Sequence, residues 1–396
     1  MSLTSATRTK REVAILGVGM HRFGMYPDSS NAEMSRIAGL SAMRDAGITF
    51  KDVDAAYAGQ IFSPAMTGVR VMKEFGLTGL PIQRIDNASA TGSACLYEAV
   101  GAVESGRYDC VMVLGFDKMT SMIQDSTAGT DPANLEDAIL PAAFFAMWAT
   151  RRMHERGTKP EHLAKIAAKN WNNGAKNPMA QRQSDKPVTP EKALASRMVA
   201  WPLTTMMSCP IGDGAACAIV GTVDMAKKLN PGRPVVKVIA SALQSERYDR
   251  GHLFMGPVVG PGRMTVDTSA ACYEQSGVGP KDIDLVQVHD AFAIEELEYY
   301  ELLGICGRGE AEACIDRGDF ELGGRVPFST DGGLISRGHP GGPTGLAQIW
   351  ETTLQLRGEA GKRQVENATC CGEQHIAKIG LGKRNAAHFR GNCEVE

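Results

Sequence analysis

Part of this chain is an echo of another part. AGITFKDVDAAYAG, from Ala46, is matched by SGVGPKDIDLVQVH, from Ser276. Gly47, Lys51, Asp52 and Asp54 correspond to Gly277, Lys281, Asp282 and Asp284 at a single offset of 230. Each copy follows a segment of helical periodicity and leads into an apolar run that reads as a strand. Such spacing points to a duplicated α/β unit. The competing reading is a common helix-to-strand connection used twice. With 396 residues the chain has room for two or three domains. Its 44 glycines favour an α/β protein with many tight turns over a helical bundle.

Local patterns place further elements. Val13 to Val18 and Cys110 to Gly115 read as buried strands, and Asp54 to Ala58 as another. Asn31 to Ala46 has helical spacing, with Met34, Ile37, Ala38, Ala42 and Met43 on one face and Gly47 as its stop. A helix is predicted from Gly92 to Ser105, after the small-residue run NASATGSA. Between the echoes, Asp117 to Pro210 is rich in Met, Asn, Gln, Lys and Arg and includes a helix over Glu161 to Asn170. Its polar run Asn172 to Pro190 reads as an excursion from the core, such as a lid or substrate loop.

A formal net charge of −3 gives no electrostatic footprint for nucleic acid or an anionic membrane. The amino terminus lacks the apolar core of a secretion signal, and no run of about 18 apolar residues exists. A cytoplasmic protein with reduced thiols is therefore expected, despite ten cysteines. Without a C-x-x-C pair or a Cys/His cluster, no metal site is expected.

Four segments could carry chemistry. In NASATGSACLYEAV, Asn87 to Val100, small residues fill a strand-to-helix junction. Exposed N–H groups there would favour an anion, which suits a nucleophile, although Ser and Thr at such a place are also ordinary helix caps. VHDAFAIEEL brings His289 and Asp290 to the end of a strand, where open α/β sheets bind ligands; alternatively, Asp290 caps the next helix beside a solvated histidine. GGLISRGHPGGPTG, Gly332 to Gly345, surrounds His339 with six glycines and two prolines, more than a simple turn needs. TCCGEQH places Cys370 and Cys371 before Gly372, either as a functional thiol or as two small buried residues.

In this order and at these separations the four segments resemble the thiolase superfamily, nearest its sterol-carrier-protein type and the related acetyl-CoA acetyltransferases. ATGSACLYEA, LGFDKMTS, VHDAF, the run GGLISRGHPGGPTGLAQIWETTLQLRGEAGKRQV and CCG carry the resemblance through almost the whole chain. It implies two duplicated α/β halves in a five-layer core with an inserted loop domain. The corresponding division is 1–116 and 211–232 for the N-terminal half, 117–210 for the loop domain and 233–396 for the C-terminal half. It also implies a homodimer or dimer of dimers, coenzyme A and acyl-CoA as substrates rather than a bound cofactor, and in some relatives a small partner carrying a zinc ribbon and an OB-fold.

The resemblance further implies roles. The nucleophile position, before Ala90, Thr91 and Gly92, holds Ser89 in place of cysteine. His339 would activate it, and His289 would help form the oxyanion site. Cys370 would be the acid/base, and Gly372 would supply an oxyanion-hole N–H. Ala291 stands where many sterol-carrier-type enzymes have a cysteine acid/base. A hydroxyl is far harder to ionise than a thiol. Ser89 therefore leaves three readings: an acyltransferase weakened by serine, including by a deliberate Cys-to-Ser exchange; an aldolase or lyase subunit that forms no acyl-enzyme; and a non-catalytic acyl-CoA binder. The acyltransferase, running thiolysis or Claisen condensation, is the first expectation. Phe144, Phe145 and the methionines around them could line an acyl pocket or pack a core.

Overall fold

The computed structural model describes residues 10–61, 63–121, 141–245 and 262–374. Its strands are β1 (Val13–Met20), β2 (Ala55–Gly59), β3 (Ile82–Ile85), β4 (Cys110–Lys118), β5 (Met198–Ala200), β6 (Leu203–Thr204), β7 (Asp213–Thr222), β8 (Val236–Val238), β9 (Leu285–Val288) and β10 (Cys371–Gln374). The longer helices are α1 (Asn31–Ala46), α2 (Thr91–Glu104), α3 (Pro141–Arg156), α4 (Pro160–Gly174), α5 (Gly262–Ser276), α6 (Ala293–Leu302) and α7 (Thr344–Arg357).

Six strands form one sheet in the order β3-β2-β4-β7-β1-β8. β2 runs parallel to β3 and β4, and the remaining pairs are antiparallel. Every residue of β1 is buried because helices cover both faces of the sheet. Ala14 and Leu16 pack with Met34, Ala38 and Ala42 of α1, whereas Val13 and Ile15 share a core with Leu96 of α2 and Leu346 and Ile349 of α7. Strand β9 continues the layering. Leu285 joins the α2/α7 core, while Val286 and Val288 face the other way into a cluster with Leu163 and Ile166 of α4 and Leu297 of α6. From one side to the other the layers are α1, the six-stranded sheet, α2 with α7, the β9–β10 pair, and α4 with α6. This is the α/β layering expected of a thiolase fold.

Helix α1 begins and ends as its sequence predicts. The Ser30 side chain accepts from Glu33 N, and Gly47 closes it at φ 72°, a left-handed turn that costs glycine nothing. Ile37 differs from expectation: it is 43% exposed. The buried stripe runs Met34–Ala38–Ala42, four residues at a time, and a residue three on from Met34 falls at its edge.

The echo is a structural repeat. In both copies a left-handed glycine, Gly47 or Gly277, ends a helix. A one-turn 3-10 helix follows, Phe50–Asp52 or Pro280–Asp282, and then a strand. In the first copy Asp54 Oδ2 accepts from Asp109 N (2.9 Å) and Cys110 N (3.0 Å). In the second, Asp284 Oδ2 accepts from Thr369 N (2.8 Å) and Cys370 N (2.9 Å). The clamp ties each strand to its parallel neighbour, β2 to β4 and β9 to β10. The strand starts at Ala55, one residue later than predicted, although Asp54 N already donates to Cys110 O (2.9 Å).

β4 leaves the sheet at Lys118 and the chain re-enters beside it at Asp213. The polar run within the intervening stretch is not a free excursion. Asn177 Nδ2 donates to Asp331 O (3.0 Å), and Gln181 N and Arg182 N donate to Arg337 O and Ser336 O (2.9 Å each). Its polar groups are needed to satisfy the backbone of the glycine-rich segment that it covers.

Asp284→Ala leaves two backbone N–H groups and the Thr369 hydroxyl without their acceptor. Asp54→Ala does the same to two N–H groups. Each is expected to lower unfolding free energy by about 1–3 kcal/mol in urea titrations. A loss below about 0.5 kcal/mol would mean that the clamps do not support the strand pairs.

Candidate active site

Ser89 sits in the connection between β3 and α2. The turn is drawn tight: Asn87 N donates to Thr91 Oγ1 (2.7 Å), and Ala90 N and Thr91 N donate to Asn87 O and Ala88 O (3.0 Å each). Ala88 is forced to φ 45°, a left-handed conformation that costs a non-glycine residue about 1–3 kcal/mol. Ser89 is not the helix cap. That position is Ala90, with no side-chain capping bond. The half-buried Ser89 side chain instead points at a histidine, with Oγ 3.1 Å from His339 Nε2.

His339 follows the short helix Gly333–Arg337, and its ring is buried. Its Nδ1 lies 2.7 Å from Thr344 Oγ1, which also donates to Pro340 O (2.6 Å). A threonine hydroxyl has one proton. With that proton on Pro340 O, Thr344 accepts from His339, so Nδ1 carries the hydrogen and the Nε2 lone pair faces Ser89. Burial holds His339 well below the ordinary histidine value, and the neighbouring His289 and Arg337 push it the same way. The result is a neutral base aimed at a hydroxyl.

The glycines around His339 allow close passage. A Cβ on Gly333, itself at φ 57°, would lie 2.2 Å from Asp290 Oδ2. Gly342 O lies where a Cβ on Gly92 or Gly115 would be, 2.8 and 2.5 Å away, so the segment presses directly on the start of α2 and on β4. Asp117 Oδ2 fixes it there by accepting from Gly342 N (2.6 Å).

His289 stands at the end of β9. Its ring lies 5.0 Å from that of His339, edge to face at 84°. Its Nδ1 is 2.8 Å from Glu295 Oε1, on the first turn of α6. Asp290 does not cap α6, whose cap is Phe292. It reaches across to the glycine-rich segment and accepts from Leu334 N (2.7 Å), Ile335 N (3.4 Å) and Asn170 Nδ2 (2.8 Å). Burial raises its carboxyl well above the usual range and nearby Glu296 adds to this, while the Leu334 N–H, Lys169 and Arg337 oppose it. Glu296 is itself held by Lys169 Nζ (2.7 Å), Asn170 Nδ2 (2.7 Å) and Tyr300 OH (2.6 Å).

Ser89, His339 and His289 therefore come together. Cys370 and Gly372 do not join them. Cys370 is buried at the entry to β10, its backbone clamped by Asp284, and Gly372 is paired with Val286 inside the ladder. At about 3.3 Å per residue, the Cys370 level lies roughly 15 Å along the strand from His289. The repeat gives the reason. Cys370 is the second-half counterpart of Cys110, where a strand begins, and the site lies where strands end. His375 and the tail that follows lie outside the described residues. Cys95 is buried within α2, where burial raises its thiol. Phe144 and Phe145 pack against Trp148, and Phe145 stacks on Phe292 (4.7 Å), so both serve a core.

Thr344 and Glu295 went unnoticed in the sequence. Both were visible as polar residues within six positions of a candidate histidine, but nothing in the spacing says that they touch it. Among the described residues no group of three His, Cys, Asp or Glu side chains is placed to hold a metal, and no helix is long and apolar enough to cross a membrane.

The fold agrees with comparisons to known proteins. Residues 13–224 match the thiolase N-terminal domain, and residues 259–383 match the thiolase C-terminal domain-like family. The chain belongs to the thiolase family. Human sterol carrier protein 2 is 36% identical over 94% of this chain and 71% of its own length. The acetyl-CoA acetyltransferase of Methanothermobacter thermautotrophicus is 36% identical over 96% of this chain and 99% of its own. The benzoylsuccinyl-CoA thiolase subunit BbsB of Thauera aromatica is 34% identical over 98% and 100%. By their names, the first of these last two relatives is an acetyltransferase and the second a thiolase subunit. Among solved structures, the Ltp2-ChsH2(DUF35) aldolase superposes with a TM-score of 0.81 at 25% identity, covering 94% of this chain and 98% of that one. Human mitochondrial 3-ketoacyl-CoA thiolase shares the fold, with a TM-score of 0.70 at 16% identity over 95% and 100% of the two chains.

Two outcomes follow from the His339 geometry. Thr344→Val removes the acceptor for Nδ1–H and should slow turnover on the order of 10–100-fold, with Thr344→Ser restoring it; equal rates for all three proteins would remove Thr344 from the site. The low folded-state pKa of His339 also sets a sign. Below the unfolded value of 6.5, the unfolded chain takes up a proton that the folded site refuses. Stability then falls with pH by at most about 1.4 kcal/mol per unit until the folded value is reached. His339→Gln should lose stability less steeply from about pH 6.5 to 5, as read by urea unfolding at each pH.

Proposed function

We propose that this chain is an acyl-CoA acyltransferase of the thiolase type that uses Ser89 as its nucleophile. The observation that carries the reading is the Ser89 Oγ to His339 Nε2 contact at 3.1 Å, with the lone pair of Nε2 directed at the hydroxyl. His339 takes the hydroxyl proton as Oγ bonds to the thioester carbonyl carbon. The carbon–sulfur bond then breaks, and the coenzyme A thiolate leaves with the proton that His339 has held. The acyl group remains on Ser89 as an ester until a second thiol or a carbon nucleophile takes it.

The chemistry of these groups makes the site slow. Thr344 is a neutral partner and does not stabilise an imidazolium as a carboxylate does, and a hydroxyl needs a strong base. A thiol in the same seat gives up its proton more easily. Ser89→Cys should therefore raise thiolysis of a 3-ketoacyl-CoA on the order of 10²-fold or more and give an acyl mass increase at residue 89. Ser89→Ala should give no adduct. Absence of both adduct and thiolysis in the Ser89→Cys protein would overturn the reading.

A second reading is retro-aldol cleavage without an acyl-enzyme. It is favoured by the similarity to the Ltp2-ChsH2(DUF35) aldolase and by the pairing of Ser89 with Ala291. Cleavage of a β-hydroxyacyl-CoA by the unaltered protein, with no free coenzyme A, would replace the first reading with this one. A homodimer or dimer of dimers, a small companion subunit with a zinc ribbon and OB-fold, and a cytoplasmic location belong to the same proposal.

A further inference from the structure

We propose that His289, held by Glu295, is the second proton-transfer group of this site, with Glu295 as its positioning residue. The inference rests on the reading of the site as one that acts on CoA thioesters.

Carbon–carbon bond formation beside a thioester requires a base at the α-carbon, and cleavage requires the same group, protonated, as an acid. His339 is engaged with Ser89. Ala291 has no titratable side chain, and Cys370 is buried at the far end of the strand. His289 is an ionisable side chain beside the Ser89–His339 pair, at 5.0 Å between the ring centres of the two histidines.

The two histidines are held by different kinds of partner. His339 leans on a threonine hydroxyl, whereas His289 leans on a carboxylate, Glu295 Oε1, at 2.8 Å. Glu295 is only about 4% exposed and is fixed in place, because its Oε2 also accepts from Phe292 N at 3.2 Å. An ionised carboxylate only accepts hydrogen bonds, so the His289 ring proton stays on Nδ1 and Nε2 keeps its lone pair. A buried carboxylate also stabilises the imidazolium that forms when Nε2 takes a proton.

The step balances within the site. His289 Nε2 takes the α-proton of the acyl-CoA, the C–H bond breaks, and its electron pair makes the enolate. The new Nε2–H then faces the enolate oxygen. In condensation the α-carbon bonds to the acyl carbonyl, the bond to Ser89 Oγ breaks, and Oγ takes up the α-proton that His289 has held, which returns both groups to their starting state. The oxyanion-binding role expected of His289 is thus a consequence of its having first accepted the proton.

The test is exchange of the α-hydrogens of acetyl-CoA with D2O, followed by mass spectrometry, alongside acyl-adduct formation at Ser89 in the same proteins. Glu295→Gln keeps an acceptor for Phe292 N but turns its NH2 to His289 Nδ1, which forces the ring proton onto Nε2. A purely structural Glu295 predicts wild-type exchange in Glu295→Gln. The dyad predicts that Glu295→Gln and Glu295→Ala both exchange about 10²-fold or more slowly, with a much smaller effect on adduct formation. His289→Asn keeps a donor without a base and should also lose exchange. Wild-type exchange in Glu295→Gln or His289→Asn, or no exchange in the unaltered protein, would overturn the proposal. Exchange that depends on Glu295 without any adduct at Ser89 would sink the acyl-enzyme reading and leave the dyad standing.

Discussion

The site depends on one buried carboxylate. Asp290 follows His289 directly and accepts hydrogen bonds from the helix that leads to His339 and from Asn170 on α4. One side chain therefore sets the separation of the two histidines and locks both to the layer behind them. Burying a carboxylate is costly unless it is fully hydrogen-bonded and charge-compensated. Leu334 N, Ile335 N and Asn170 supply the bonds, and Lys169 supplies charge through its contact with Glu296. Gly333 follows as a requirement, since any side chain there would occupy the space of this carboxylate.

Much of this was legible in the sequence, for identifiable reasons. The echo of Gly47–Asp54 in Gly277–Asp284 survives because its residues make the same contacts in both copies. The glycine is a left-handed stop and the aspartate of each 3-10 turn, Asp52 or Asp282, caps it, both local contacts, while the following aspartate is the clamp to a strand further along the chain. Contacts made close by in the chain leave signatures close by in the sequence. Ser89, His289 and His339, which the structure brings together, lie in segments that the sequence marks: a small-residue junction, the end of a strand and a glycine-dense turn. The resemblance to thiolases rested on the same residues, and the family comparison agrees with it.

What the sequence hid was of two kinds, local side-chain contacts that no spacing announces and contacts between distant segments. Nothing near Thr344 says that its single proton goes to Pro340 and so decides which nitrogen of His339 bears hydrogen. Glu295 reads as a first-turn acid of α6, which it is, and the same carboxylate also holds His289. The polar run after α4 looked like an excursion because its partners, the backbone carbonyls of Asp331, Ser336 and Arg337, are about 150 residues away. Cys370 was placed in the site by its neighbours in sequence, and the register of β10 against β9 puts it at the wrong end of the strand.

The two clamps differ in one detail. Thr369 adds its hydroxyl as a third donor to Asp284, at 3.0 Å, whereas the equivalent residue in the first half, Asp109, is a carboxylate that turns away to Arg11. A chain with two copies of one motif risks docking a loop onto the wrong copy while it folds. Here the wrong choice would set Asp109 against Asp284 without the extra bond and deprive Arg11 of its partner. The difference at this one position lets the halves stay alike in architecture and still recognise their own strands.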